Sequence, residues 1–304
     1  MLNKAAAVIT GPLQEALAAT STAVERVLDP ILAIPDGAES RVVEAMRYSV
    51  FSGGKRLRPF LVLASAELFD VERVHALRVA AAIECVHCYS LIHDDLPAMD
   101  DDDMRRGKPT VHKAFDEATA ILAGDALMSL AFEILGAEET HGDPSVRLEL
   151  VRKLAHASGH HGMVGGQMID LRAHELEMDE NRIHRLQQMK TGALISFSVE
   201  SGAVMGHASK QARAALMGYA RDLGLAFQIA DDLLDVEGDE DEVGKATGKD
   251  AGAGKATLVS LMGVERARQQ AEMLTEQAIA HLSMFDERAS LLRAAAHFAI
   301  SRRA

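Results

Sequence analysis

The sequence predicts an all-α protein: one domain over residues 1–304, built as a bundle of about ten or more helices. Three observations carry that expectation. Alanine and leucine dominate a chain that holds only seven prolines. Apolar residues recur at helical spacing over long windows. The alternating β-branched and aromatic runs that mark strands are nearly absent, and tryptophan is missing altogether. No fixed-period repeat or low-complexity linker divides the chain.

Taken in order, apolar periodicity places helices near 13–33, 39–52, 57–69 and 73–95. The glycine pair Gly53-Gly54 joins the second to the third, and Pro97 stops the fourth. Further helices are expected near 112–136, 145–161, 164–174, 180–206, 210–236, 256–283 and 287–302. Asp143 ahead of Pro144, then Asp179, Ser209 and Asp286, supply start signals for four of these. The irregular stretches 97–109 and 237–255 each follow an aspartate cluster, so loops should gather at one mouth.

Bulk properties narrow the function. With 48% apolar and 25% charged residues, the chain has the composition of a soluble globular protein. Two cysteines imply no disulfide framework and suit a reducing cytoplasm. No uncharged apolar stretch reaches membrane-spanning length, and Gly11-Pro12 and Gln14-Glu15 interrupt any signal-peptide core. A formal charge of −13 argues against nucleic acid as a partner. It would also repel a phosphate, unless metal ions reverse the local sign.

The chemistry sits in two acidic clusters. The first is His93-Asp94-Asp95-Leu96-Pro97-Ala98-Met99-Asp100, continuing through Asp103; the second is Gln228-Ile229-Ala230-Asp231-Asp232-Leu233-Leu234-Asp235. Asp231 and Asp235, four apart on a helix, share one face, whereas Asp232 points about 100° away and is expected either to be structural or to support the residues that meet the metal. Pro97 should loop the chain so that Asp100 returns beside Asp94. Crowded carboxylates with oxygen-only donors favour Mg²⁺, which keeps waters and is completed by substrate phosphates. Cations gather in Gly53-Gly54-Lys55-Arg56-Leu57-Arg58-Pro59, in Arg105-Arg106-Gly107-Lys108, and at Lys245, Lys249 and Lys255 among glycines. Three such patches beside two acidic ones suggest two anionic substrates, one bound through metal and one bound directly by cations.

With Gly166-Gln167-Met168-Ile169-Asp170, Lys190-Thr191-Gly192 and Phe227-Gln228 added, these motifs stand in the order found in the trans-prenyl diphosphate synthases. The chain resembles that family over roughly residues 40–265. Its spacer Leu96-Pro97-Ala98-Met99 resembles the bacterial farnesyl type and the plant-type geranylgeranyl synthases. The resemblance implies the isoprenoid synthase fold, with helices around a central cavity, and a homodimer; the cysteine count places it in the cytoplasm. It also implies condensation of isopentenyl diphosphate with dimethylallyl or geranyl diphosphate to give farnesyl diphosphate.

By the same resemblance, three Mg²⁺ ions, or Mn²⁺ in their place, would be held by Asp94, Asp100 and Asp231. Asp95, Asp235, Gln167 and Asp170 would orient waters or substrate around them. Arg105, Lys190, Thr191, Gln228, Lys245 and Lys255 would clamp the allylic diphosphate, with Lys190, Thr191 and Gln228 closest to the reacting carbon. Lys55, Arg58, His87 and Arg106 would hold isopentenyl diphosphate without metal. Tyr89, five residues before Asp94, lies about 7.5 Å along the helix axis and would form the floor that limits chain length, with small Ser90 beside it.

Alternatives within the fold are a geranyl or geranylgeranyl diphosphate synthase, a terpene cyclase, and a non-catalytic regulatory subunit. Lys55, Arg58 and His87 argue against the cyclase, which needs no second diphosphate pocket. The intact aspartates argue against the inert subunit. Cys85-Val86-His87-Cys88 lacks a second pair and is expected to be two core thiols, and His160 and His161 a helix end. The run Glu237 to Glu242 lacks the calcium-loop pattern, and the Gly254-Lys255 loop lacks the phosphate-loop spacing.

Overall fold

In the computed structural model the described residues are 2–237 and 257–301. Lys245, Lys249, Lys255 and the 238–256 stretch lie outside them. The elements are α1 (Leu2–Ile31), α2 (Ser40–Val50), α3 (Leu57–Glu67), α4 (Arg73–Asp94), α5 (Val111–Ala114), α6 (Glu117–Gly136), α7 (Pro144–Ser158), α8 (Met163–Leu171), α9 (Glu180–Gln187), α10 (Ala193–Met205) and α11 (Lys210–Glu237). Beyond residue 256 come α12 (Leu258–Met262), α13 (Val264–His281) and α14 (Ser290–Ser301).

α4 is the axis of the bundle. It carries Val79, Ala80, Ala81, Ala82, Ile83, Val86 and Ile92, all buried, and packs against α6, α3, α1 and α10. A helix apolar all round belongs in the interior. α10 links this half to α11, and α11 packs along α13. Tyr219, fully buried on α11, donates its hydroxyl to the carbonyl of Leu292 at 2.7 Å and so fastens α14 to that side. α6 is the one described helix long and apolar enough to cross a membrane by length and composition. It carries Asp125 midway and packs against α4 and α2 as a core helix.

Most expected caps are present. Asp143 accepts from Ser145 N, Asp179 from Arg182 N and Ser209 from Ala212 N. Asp286 is a correction: it sits at φ 43 in a kink between 3₁₀ turns and does not cap α14. Two expected helices are divided. The 112–136 helix breaks at Phe115, and Asp116 then caps α6 by accepting from Thr119 N at 2.7 Å. The 256–283 helix breaks at Gly263, where φ is 82.

The 97–109 loop contains a small antiparallel hairpin, β1 (Met104–Arg105) against β2 (Lys108–Pro109), with Arg105 opposite Lys108. Its two turn residues, Arg106 and Gly107, both have positive φ, 53 and 74. A two-residue hairpin turn matched to the strand twist demands that geometry.

Candidate active site

The first aspartate cluster ends α4. Asp95 caps the helix, and the chain then turns so that Asp100 N donates to the carbonyl of Asp94 at 2.8 Å. The expected return of Asp100 to Asp94 is therefore present, and Asp101 takes φ 50 to complete it. Burial pushes the Asp94 carboxyl up to about 6; nearby Lys190 opposes the rise and Asp100 adds to it. Asp95 is buried and accepts from Arg105 Nε at 2.8 Å and Nη2 at 2.5 Å. Its part in the geometry is to aim Arg105 at the mouth.

The Lys190-Thr191-Gly192 motif lies in a π turn, Gln188–Gly192, between α9 and α10. The single helix expected over 180–206 is thus one path with a residue inserted, a device common at functional sites. The bulge turns Lys190 to Asp170 on α8, 2.6 Å away, and Thr191 to α11, where its hydroxyl donates to Gln228 Oε1 at 3.1 Å. Close approach of α8 requires Gly166: a Cβ there would lie 2.7 Å from Lys190 Cα and nearer still to its backbone nitrogen. On α11, Asp232 is buried and accepts from Gln228 Nε2 at 3.0 Å and Gln187 Nε2 at 3.1 Å. Asp232 is structural, as its rotation about the helix predicts, and it fixes the amide of Gln228. Gln187 is a member of this chain that the sequence did not flag, because its partner is 45 residues away.

Opposite these, the Gly53-Gly54 loop closes on Arg106. Gly54 has φ 119, and a Cβ would stand 2.6 Å from the Arg106 guanidinium carbon. Arg106 donates back to the carbonyl of Gly53. Arg56, which the expected diphosphate set leaves out, borders the cationic cavity but has its own buried partners. It takes φ 48, turns inward, and pairs with buried Glu84 while donating to the carbonyl of Val50. It braces the loop, and Lys55 and Arg58 remain as the loop's candidates for phosphate contact. Lys55 Nζ lies 5.9 Å from the Phe298 ring centroid on α14. Burial, then Arg58 and Arg106, hold the His87 imidazole well below its ordinary range, so it is neutral.

Two cavities result. A cationic one of about 540 Å³ is lined by Lys55, Arg58, His87, Arg105, Arg106 and Asp231. An apolar one of about 500 Å³ runs below Asp94 and Lys190 between Tyr89, Met163, Met168 and Leu194. Arg58, His87, Leu91 and Thr191 border both. Tyr89 and Ser90 line the apolar cavity, as does Gln167, whose buried Nε2 has no protein partner. Asp235 is half-buried on the Asp231 side of α11. The contributions of α6 and α8 to the apolar cavity carry no charged signature and were not legible beforehand.

The donor set suits a hard divalent cation. Asp94 is held back from ionising by burial and by a neighbouring carboxylate, a repulsion that a cation between them relieves. A second acidic group, Asp101, Asp103 and His112, has donor atoms within 4.8 Å of one another. That group already has a cation: Lys113 lies 2.8 Å from Asp103 and also faces Asp101.

Fold and site together define an all-α isoprenoid synthase, with paired aspartate clusters where a cationic cavity meets an apolar one. A polyprenyl synthetase family model matches residues 39–294, and the chain belongs to that family. A farnesyl diphosphate synthase of Escherichia coli strain K12 is 47% identical over 266 residues, covering 86% of this chain and 89% of that protein. A geranylgeranyl diphosphate synthase of Cyanophora paradoxa is 42% identical, covering 88% of this chain and 90% of that protein. Among solved structures, an apo FPP/GFPP synthase from Zymomonas mobilis matches with a TM-score of 0.89 at 54% identity, over 95% of this chain and 99% of that one.

Proposed function

We propose that the chain is a magnesium-dependent prenyltransferase. It condenses isopentenyl diphosphate head to tail with dimethylallyl and then geranyl diphosphate, and releases farnesyl diphosphate. The observation that carries this is the pair of abutting cavities, one cationic and one apolar, with a shared wall at Arg58, His87, Leu91 and Thr191. One suits a small diphosphate; the other suits a growing hydrocarbon. Farnesyl diphosphate synthases among the relatives support the C15 assignment.

The allylic tail enters the apolar cavity, and its diphosphate rests at the mouth against Arg105 and Lys190. Asp95 and Asp170 hold those two cations in place. Lys245 and Lys255 belong to the same clamp by sequence. Asp94, Asp100 and Asp231 would hold three Mg²⁺ ions, with Mn²⁺ an acceptable replacement; when bound, these supply the positive charge that lets diphosphate depart. Lys55, Arg58 and Arg106 bind the second diphosphate by charge, and neutral His87 adds an N–H donor. Thr191 and Gln228 present oxygen dipoles to the developing allylic cation, fixed there by Asp232. The double bond of isopentenyl diphosphate then attacks, and the departing pyrophosphate accepts the proton, so no side-chain base is required. Catalysis is by positioning and electrostatics.

Tyr89, 9% exposed, is the proposed floor. We include a cytoplasmic homodimer in the proposal; the exposed apolar Ile121 and Leu122 on α6 offer a face for a second copy. The test is to incubate the purified chain with Mg²⁺, isopentenyl diphosphate and dimethylallyl diphosphate and measure product length by mass spectrometry. A C15 diphosphate is expected. A C10 or C20 product would move the floor away from Tyr89, and no product with dimethylallyl or geranyl diphosphate as primer would overturn the assignment.

A further inference from the structure

Tyr89 is not an isolated stop. His93, one turn further along α4, sets its imidazole edge to face against the Tyr89 ring, with centroids 5.1 Å apart and planes at 85°. Both side chains line the apolar cavity. Opposite them runs α6, and His93 Nε2 lies 3.1 Å from the backbone carbonyl of Ile121. A carbonyl can only accept, so this nitrogen carries the proton and donates. The ring can lie that close to α6 because residue 124 is glycine. A Cβ at that position would stand 2.5 Å from His93 Cδ2 and closer still to Nε2.

We propose that His93, seated on Gly124 and anchored to Ile121, is a positioning residue that fixes the depth of the apolar cavity by holding the Tyr89 ring. Product length is then set by three residues on two helices. This inference rests on the function proposed above. It predicts changes of opposite sign. A methyl at 124 drives the imidazole off α6 toward Tyr89 and the cavity, which shortens the space. Removing the imidazole leaves Tyr89 without its support and widens it. The two changes must also couple, because a methyl at 124 has nothing to displace once the ring is gone.

The experiment is the product distribution of the full chain and of Gly124→Ala, His93→Ala and the double variant, with dimethylallyl diphosphate, isopentenyl diphosphate and Mg²⁺. Gly124→Ala is expected to release the once-extended C10 product at the expense of the wild-type length. His93→Ala should extend the main product by one C5 unit. In the His93→Ala background, Gly124→Ala should shift nothing further. Equal shifts from Gly124→Ala in both backgrounds, or wild-type length in both single variants, would overturn the inference. Alanine is the better helix former at 124; if that variant still fails to fold, the length made by His93→Ala alone decides. An inactive wild-type chain would instead sink the proposed reaction, so the two failures are distinct.

Discussion

At the scale of single residues, residue type was legible and side-chain direction often was not. The charged clusters pointed to Asp94, Asp100 and Arg58 as candidate site residues, the family resemblance added Lys190, and helix geometry set Asp232 apart. The bracing role of Arg56 was not legible, because it depends on a left-handed φ of 48 and on Glu84, 28 residues away. Glu84→Gln removes the carboxylate that Arg56 meets in the interior. Breaking one side of a buried pair costs about 3–5 kcal/mol, so the urea midpoint should fall clearly, and an unchanged midpoint would remove Arg56 as the brace. Asp232→Ala frees the Gln228 amide and should cut turnover by about 10²-fold, as misplacement of a positioned group does. Steady-state kinetics would check it, with circular dichroism confirming intact helices.

His87 gives a pH prediction. Its folded pKa lies well below the unfolded value, so the unfolded chain binds the extra proton first. Its contribution to stability is therefore present above the unfolded pKa and lost as pH falls below about 6.5. Denaturant midpoints should drop between pH 7 and pH 5, and less steeply in His87→Asn. Identical slopes in the two proteins would count against a neutral His87.

At the scale of elements, apolar periodicity located nearly every helix but passed over interruptions one residue long. The π turn at Gln188–Gly192 is the clearest case, since a single inserted residue leaves the flanking apolar pattern looking continuous. The break at Phe115 and the hairpin after Asp103 went unseen for a related reason: each is too short to form a periodic signal. The inserted residue sets where Lys190 and Thr191 point. Deleting Met189 should restore an ordinary α path, rotate the motif by about 100°, and reduce turnover by about 10²-fold or more. Helical content should be preserved; near-normal turnover would show that the bulge has no part in aiming those side chains.

At the scale of the whole molecule, net charge and site charge have opposite signs. A chain of formal charge −13 gathers Lys55, Arg58, Arg105 and Arg106 around one cavity and faces them with Asp231. The clusters were legible because charge is written directly in the sequence. The apolar cavity was not, because its walls are largely apolar residues of α4, α6 and α8 brought together only by packing. Asp94→Ala and Asp231→Ala should each abolish turnover with the circular dichroism spectrum unchanged. Chelation of divalent ions should do the same reversibly, and activity that survives chelation would exclude the metal clamp.

The wall common to both cavities has a consequence for traffic between cycles. On the proposed chemistry, the diphosphate that remains on the lengthened chain is the one that arrived in the cationic cavity. The next round needs it at the aspartate mouth, where the expelled pyrophosphate still sits. Repeated extension is therefore a queue through one doorway, bounded by Arg58, His87, Leu91 and Thr191. Whatever slows the exit of pyrophosphate slows every later addition, so that a crowded mouth favours early departure of a short product.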